Sequence, residues 1–217
     1  MVRRLFALLV LITAAPAAAA VSGLAPWMEL TLPGRAANQF AAPAPGTVTV
    51  RSADSVSFLY RPVSGDEGTA RRLRWSWRVD AQPPPADLAA AGRDDRPLAV
   101  HVWFQRDGRT LSGLLSGLAG FPQGRLITYA WGGIQAPGTV LVSPGLGGDG
   151  RVIVLRGGDA PLGRWIDEAV DLDGDYARLF GVPMPPPTHV AISADTDDMG
   201  GVSRGAVRGL AFGGARP

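Results

Sequence analysis

Two stretches of strict two-residue alternation constrain this chain more than anything else in it. From Arg72 to Asp80, Leu73, Trp75, Trp77 and Val79 fall on one side, and Arg74, Ser76, Arg78 and Asp80 on the other. Leu98 to Phe104 repeats the pattern, with Leu98, Val100, Val102 and Phe104 on the apolar side and His101 and Trp103 on the reverse. Successive side chains change face only in extended backbone, so each stretch reads as a strand with one buried flank.

Short strands punctuated by Gly and Pro fill the rest of the chain. They are Trp27 to Leu32, Thr47 to Arg51, Ser55 to Tyr60, Arg125 to Trp131, Thr139 to Ser143, Arg151 to Arg156, Gly163 to Val170, Thr188 to Ala194 and Gly205 to Phe212. The strands on either side of Ser52-Ala53-Asp54 are expected to form a hairpin. Only Asp173 to Phe180 has helical character, with Gly181 as its stop. Ala81 to Arg93, Asp107 to Gly124 and the tail from Gly213 are expected to be irregular. This spacing predicts an all-β, antiparallel β-sandwich of about ten strands with one short helix, rather than βαβ units.

The beginning of the chain predicts a compartment. Arg3 and Arg4 precede an apolar run from Leu5 to Ile12, and small residues follow to Ala18-Ala19-Ala20. That order reads as a secretory signal peptide cleaved near Ala20, and the run is short of the roughly 20 residues a membrane span needs. The expected location is periplasmic or secreted, with a single domain over 21–217 and no membrane association after cleavage. The chain has no cysteine, which excludes disulfides, thiolate metal sites and thiol nucleophiles.

Two of the 21 basic residues, all Arg, leave with the leader; the remaining 19 face 19 acids. No basic run points to nucleic acid. No Gly-x-Ser-x-Gly elbow is present. The glycine-rich stretch 145–150 lacks the lysine and the helix of a phosphate loop and reads as a turn. No residue is assigned a catalytic role.

Several motifs form an ordered set. They are Leu-Arg-Trp-Ser-Trp-Arg-Val-Asp (73–80), Asp94-Asp95 before Val102-Trp103-Phe104, and Thr128-Tyr129-Ala130-Trp131 before Pro137-Gly138-Thr139. Val152 to Arg156, Gly163-Arg164-Trp165, Asp175-Tyr176, Phe180-Gly181 and Val190 to Asp198 complete it. In this order they resemble domain-of-unknown-function family 3047, found in exported bacterial proteins, over about residues 47–212. The resemblance implies a sandwich of the jelly-roll or galactose-binding type, and no established activity. The closing Ile192 to Asp197 strand is similar to the last strand of some carbohydrate-binding modules. The chain departs from the family pattern at Ala99, where Arg is usual, at His101, where Tyr is usual, and at Glu168 to Asp171, which lacks an expected Arg.

Two constellations carry chemistry. If the alternating strands pair, Arg74 and Arg78 share a face with His101 and Trp103, with Asp95 close by. An indole flanked by such donors can hold a glycan or another polyol-rich ligand. The alternative is that this face is covered, with Trp103 in the core and the arginines paired to Asp80 or Asp95. Asp195, Asp197 and Asp198 are candidate Ca²⁺ ligands, since hard cations take oxygen. The alternative is a turn in which one Asp accepts backbone N–H groups and another pairs with an Arg such as Arg204. The expected function is a non-catalytic binding module for a glycan or small polar ligand. The other readings are a polysaccharide-active enzyme using Asp95 or Glu168, and an envelope scaffold.

Overall fold

The apolar flanks of the two alternating stretches face each other across the interior. A computed structural model describes residues 18–20, 23–105 and 123–213. Most of the leader, nearly all of the irregular segment from Asp107 and most of the tail lie outside these. In chain order the strands are β1 (Ala18–Ala20), β2 (Met28–Thr31), β3 (Gln39–Ala44), β4 (Thr47–Ala53), β5 (Val56–Pro62), β6 (Arg72–Ala81), β7 (Arg96–Phe104), β8 (Arg125–Trp131), β9 (Val140–Ser143), β10 (Gly147–Arg156), β11 (Ile166–Asp171), β12 (Pro187–Asp195) and β13 (Val202–Gly213). A 3₁₀ turn covers Gly65–Thr69, and α1 covers Leu172–Phe180.

The strands form two stacked sheets. One has eight strands in the order β1-β2-β5-β12-β7-β8-β10-β9, the other five in the order β11-β6-β13-β4-β3. The expected sandwich is therefore present, and Leu73, Trp75, Trp77 and Val79 of β6 meet Leu98, Val100, Val102 and Phe104 of β7 in one core. The rings of Trp75 and Trp77 stand edge to face at 5.4 Å, and Trp77 and Trp131 do the same at 5.5 Å. Such pairs add to the stabilisation that burial alone provides. Pairing is antiparallel except between β8 and β10, which run parallel. The cause is local: β9 turns back on β10 as a sheet-edge hairpin, so β10 lies beside β8 in the same direction.

The hairpin expected around Ser52-Ala53-Asp54 does not form. β4 belongs to the five-stranded sheet and β5 to the eight-stranded one. Asp54 takes a left-handed conformation (φ 49°), and Ser52 Oγ donates to the Ser55 carbonyl at 2.6 Å. Together they turn the chain from one sheet to the other, because β5 buries its side chains on both faces. β3 was also not foreseen; it contains Pro43, which an edge strand tolerates because one of its sides needs no N–H donor. α1 starts with Asp171 accepting from Gly174 N–H at 3.2 Å and ends at Gly181 in the left-handed region. It plugs one end of the sandwich with Tyr176, whose ring lies 4.8 Å from that of Phe104.

Candidate functional site

The chemistry gathers where β7 begins and β12 ends. These antiparallel neighbours place Arg96 opposite Asp195 in register. Arg96 Nη2 donates to Asp195 Oδ2 at 3.2 Å, and Nη1 lies 3.2 Å from Asp94 Oδ2. The arginine side chain is mostly buried, 12% exposed at the pocket. Burial works against its charge, but Asp195, Asp94 and Asp95 outweigh it and hold the guanidinium above its ordinary pKa.

The turn after β12 brings Asp197 and Asp198 beside this pair. Arg35, from the loop between β2 and β3, reaches Asp197 Oδ2 at 2.6 Å and Asp198 Oδ1 at 3.5 Å. The turn is anchored from below by Asp95, whose two carboxylate oxygens accept from Asp198 N–H at 3.1 Å and Met199 N–H at 2.9 Å. Burial pushes the Asp195 carboxyl well above the usual range, Arg96 offsets this in part, and the neighbouring Asp197 and Asp95 carboxylates add to it. Burial, then Asp197 and the other nearby acids, also raise Asp198.

Arg35, Asp94, Arg96, Asp195, Asp197 and Asp198 line a pocket of about 470 Å³ together with Leu32, Val56 and Phe58. Apolar side chains with a few fixed polar groups among them are the general lining of a small-ligand site. In chemical terms the pocket offers carboxylate acceptors and guanidinium donors, held in place by one another.

The site differs from the sequence expectation in three respects. First, Arg74 and Arg78 do not share a face with His101 and Trp103. β6 and β7 lie in opposite sheets, and the two arginines point outward from the five-stranded one. Second, Trp103 and His101 are 1% exposed and cannot meet a ligand in this conformation. The reverse flank of β7 is a second core, where Trp103 packs with Leu30, Phe58, Tyr60 and Leu126. His101 lies 2.9 Å from Thr128 Oγ1 and 2.8 Å from Ser193 Oγ, and burial, helped by Arg96, keeps its pKa well below the ordinary value. Third, Asp195 is not grouped with Asp197 and Asp198 as a metal ligand. The set with oxygens within 4.8 Å of one another is Asp95, Asp197 and Asp198. Asp95 is committed to the two backbone donors and Asp197 to Arg35, so Arg35 already supplies the positive charge that Ca²⁺ would bring.

Asp95 therefore belongs to the site as a support for its turn. Glu168 lies elsewhere, on the inner side of β11, where its Oε1 accepts from Trp77 Nε1 at 2.9 Å and Arg156 Nε at 2.7 Å. Arg35 and Arg96 are not indicated as site residues by the sequence, and Asp94 is indicated only as half of a carboxylate pair with Asp95. The only signal was the Arg-Asp-Asp-Arg run of 93–96 entering one strand and Asp-x-Asp-Asp leaving another, with nothing to show that the two strands are neighbours.

A family profile described as a protein of unknown function, DUF3047, matches residues 25–210. The chain belongs to the DUF3047 family. That span holds both sheets apart from β1 and the end of β13, and every residue of the pocket. Comparison with curated proteins returns no match. Among solved structures, the DUF3047 chain is similar to the xyloglucanase domain of NopAA, a type three effector from Sinorhizobium fredii, in complex with cellobiose. The identity is 9%, the TM-score 0.48, and the match covers 91% of this chain and 97% of that one. It is also similar to a native family 12 xyloglucanase from Bacillus licheniformis, at 7% identity and a TM-score of 0.43, covering 88% of each chain.

Proposed function

We propose that this protein is an exported, non-catalytic glycan-binding β-sandwich, and that the pocket at the β7–β12 end takes the hydroxyls of a sugar or another polyol. The observation that carries the reading is the gathering of Asp94, Arg96, Asp197, Asp198 and Arg35 with Leu32, Val56 and Phe58 in one pocket. Carboxylates accept from hydroxyl O–H groups, guanidinium groups donate to hydroxyl oxygens, and the apolar side chains suit the C–H face of a ring. The polar groups are fixed by each other before a ligand arrives, which lowers the ordering cost of binding.

The same geometry favours binding over hydrolysis. Glycoside hydrolysis sets two carboxyls about 5 to 10 Å apart across the scissile bond. Here Asp195 is held by Arg96 and Asp197 by Arg35, and Asp95 and Glu168 are each occupied by structural donors. Export rests on the basic start, apolar run and alanine exit of the leader. Among the described residues no helix is long and apolar enough to cross a membrane. Cleavage after Ala20 would remove β1 and leave β2 as a sheet edge.

Calorimetric titration with a panel of neutral oligosaccharides tests the proposal. At least one should bind, binding should be lost in Arg35→Ala and Asp198→Asn, and no reducing ends should appear. Absence of binding across the panel, or binding indifferent to both substitutions, overturns it; release of reducing ends replaces it with the enzymatic reading.

A further inference from the structure

The outward face of the five-stranded sheet gathers positive charge that no run in the sequence announces. β4 contributes Arg51, β6 contributes Arg72, Arg74 and Arg78, and β13 contributes Arg204 and Arg208. Each sits one residue from an inward-facing core residue, so all six project to the same side. The acids of this face are engaged: Asp80 with Arg78 at 2.7 Å, Asp167 with Ser76 Oγ at 2.5 Å, and Asp171 at the start of α1. Among the described residues, Arg51, Arg72, Arg74, Arg204 and Arg208 have no carboxylate partner.

Two features show an arrangement that the fold does not need. Arg51 and Arg204 stand directly opposite each other in the β4–β13 ladder. Like charges in that position destabilise a sheet, and no acid intervenes to relieve them. Arg208 and Arg78 both lie against the Trp165 indole, their guanidinium carbons 4.1 and 4.9 Å from its centre. The ring holds both guanidinium groups in place; Arg78 is also tied to Asp80, while Arg208 has no carboxylate partner among the described residues and keeps its donors for a ligand.

We infer that this face binds an anionic polysaccharide, with the carboxylate or phosphate groups of the polymer lying over Arg51, Arg74, Arg204 and Arg208. Guanidinium donors match such oxyanions two bonds at a time, and an anion between Arg51 and Arg204 removes their repulsion. Thr49, Ser76 and Gln39 on the same face suit a hydroxyl-rich chain between its charges. A protein partner fits less well, since the face has no apolar centre of the kind interfaces bury. A nucleic acid fits less well too, since the Trp165 ring is covered by arginine and offers no platform for a base. This site is separate from the pocket at the β7–β12 end and does not depend on it.

The test is binding of the full chain to polygalacturonate, with dextran and duplex DNA as comparators. Polygalacturonate should bind and dextran should not, and affinity should fall at least about tenfold between about 50 and about 200 mM salt, as counterion release requires. The double variant R74E/R208E should lose at least about tenfold in affinity, a change of about 1.4 kcal/mol, and R51Q/R204Q should melt no lower than the parent while binding more weakly. Arg35→Ala, in the pocket, should bind polygalacturonate unchanged. Equal binding of dextran, DNA binding as tight as polygalacturonate, or affinity unaltered in both double variants would overturn the assignment.

Discussion

Arg96 and Asp195 stand opposite each other in the β7–β12 ladder, with Arg96 Nη2 donating to Asp195 Oδ2 at 3.2 Å inside the sandwich end. Little of the pair reaches solvent, and Asp94 and Asp197 complete a small ionic network around it. Several consequences can be measured.

Removing the cation should be far worse than neutralising the anion. Arg96→Ala leaves the buried Asp195 and the half-buried Asp94 without their counter-charge, a change that costs about 3–5 kcal/mol. Asp195→Asn keeps the shape and removes a charge that burial opposes, so its cost should be about 1 kcal/mol. Denaturant unfolding at neutral pH checks both values. Equal losses would mean that Asp195 carries its charge fully.

His101 should make the fold sensitive to acid. Its pKa in the folded chain lies well below the ordinary 6.5, so the unfolded chain binds the proton more readily. Stability should therefore be constant above about pH 6.5 and fall as the pH drops below that value towards the folded pKa, by up to about 1.4 kcal/mol per unit for one proton. Asp195, whose pKa is raised, acts in the opposite sense, favouring the fold as the pH falls towards about 4. His101→Gln should flatten the loss between about pH 6.5 and pH 5. Unfolding curves across that range that overlay for parent and variant would remove the histidine from the account.

Trp77 is fully buried between both sheets and donates its indole N–H to Glu168. Trp77→Ala should destabilise by about 3–5 kcal/mol. Glu168→Ala should cost about 1–3 kcal/mol, because the indole N–H loses its acceptor inside the protein. The two losses should fall short of additive in a double-mutant cycle read by thermal melting, since the residues share one bond.

Asp95 should act on the pocket through its turn. In Asp95→Ala the N–H groups of Asp198 and Met199 lose their acceptors, at a cost of about 1–3 kcal/mol. Amide exchange at those two residues should quicken while β12 amides stay protected. Unchanged exchange at Asp198 and Met199 would show that the turn holds itself.

Much of the architecture was readable residue by residue. The alternation in 72–80 and 98–104 specified two strands and their apolar flanks, because the pleat has a period of two whatever the strand pairs with. The stop at Gly181 was legible for the same local reason. The reverse flank of β7 was misjudged because alternation identifies the more apolar side, and says nothing of whether the other side is also covered. His101 and Trp103 are polar or amphipathic side chains in a second core, satisfied there by Thr128, Ser193 and packing.

What the sequence settled by itself is local: extended segments, the inward set of β6 and β7, a short helix with its stop, and membership of one family through the order of its motifs. Which strands became neighbours was decided only in three dimensions. Arg96 meets Asp195, and Arg51 meets Arg204, through ladders joining residues about a hundred or more positions apart. The physical reason is that a strand's periodicity is a property of its own backbone, whereas a site is made of side chains from different strands. The order in which two sheets assemble their strands is set by the packing of the whole core.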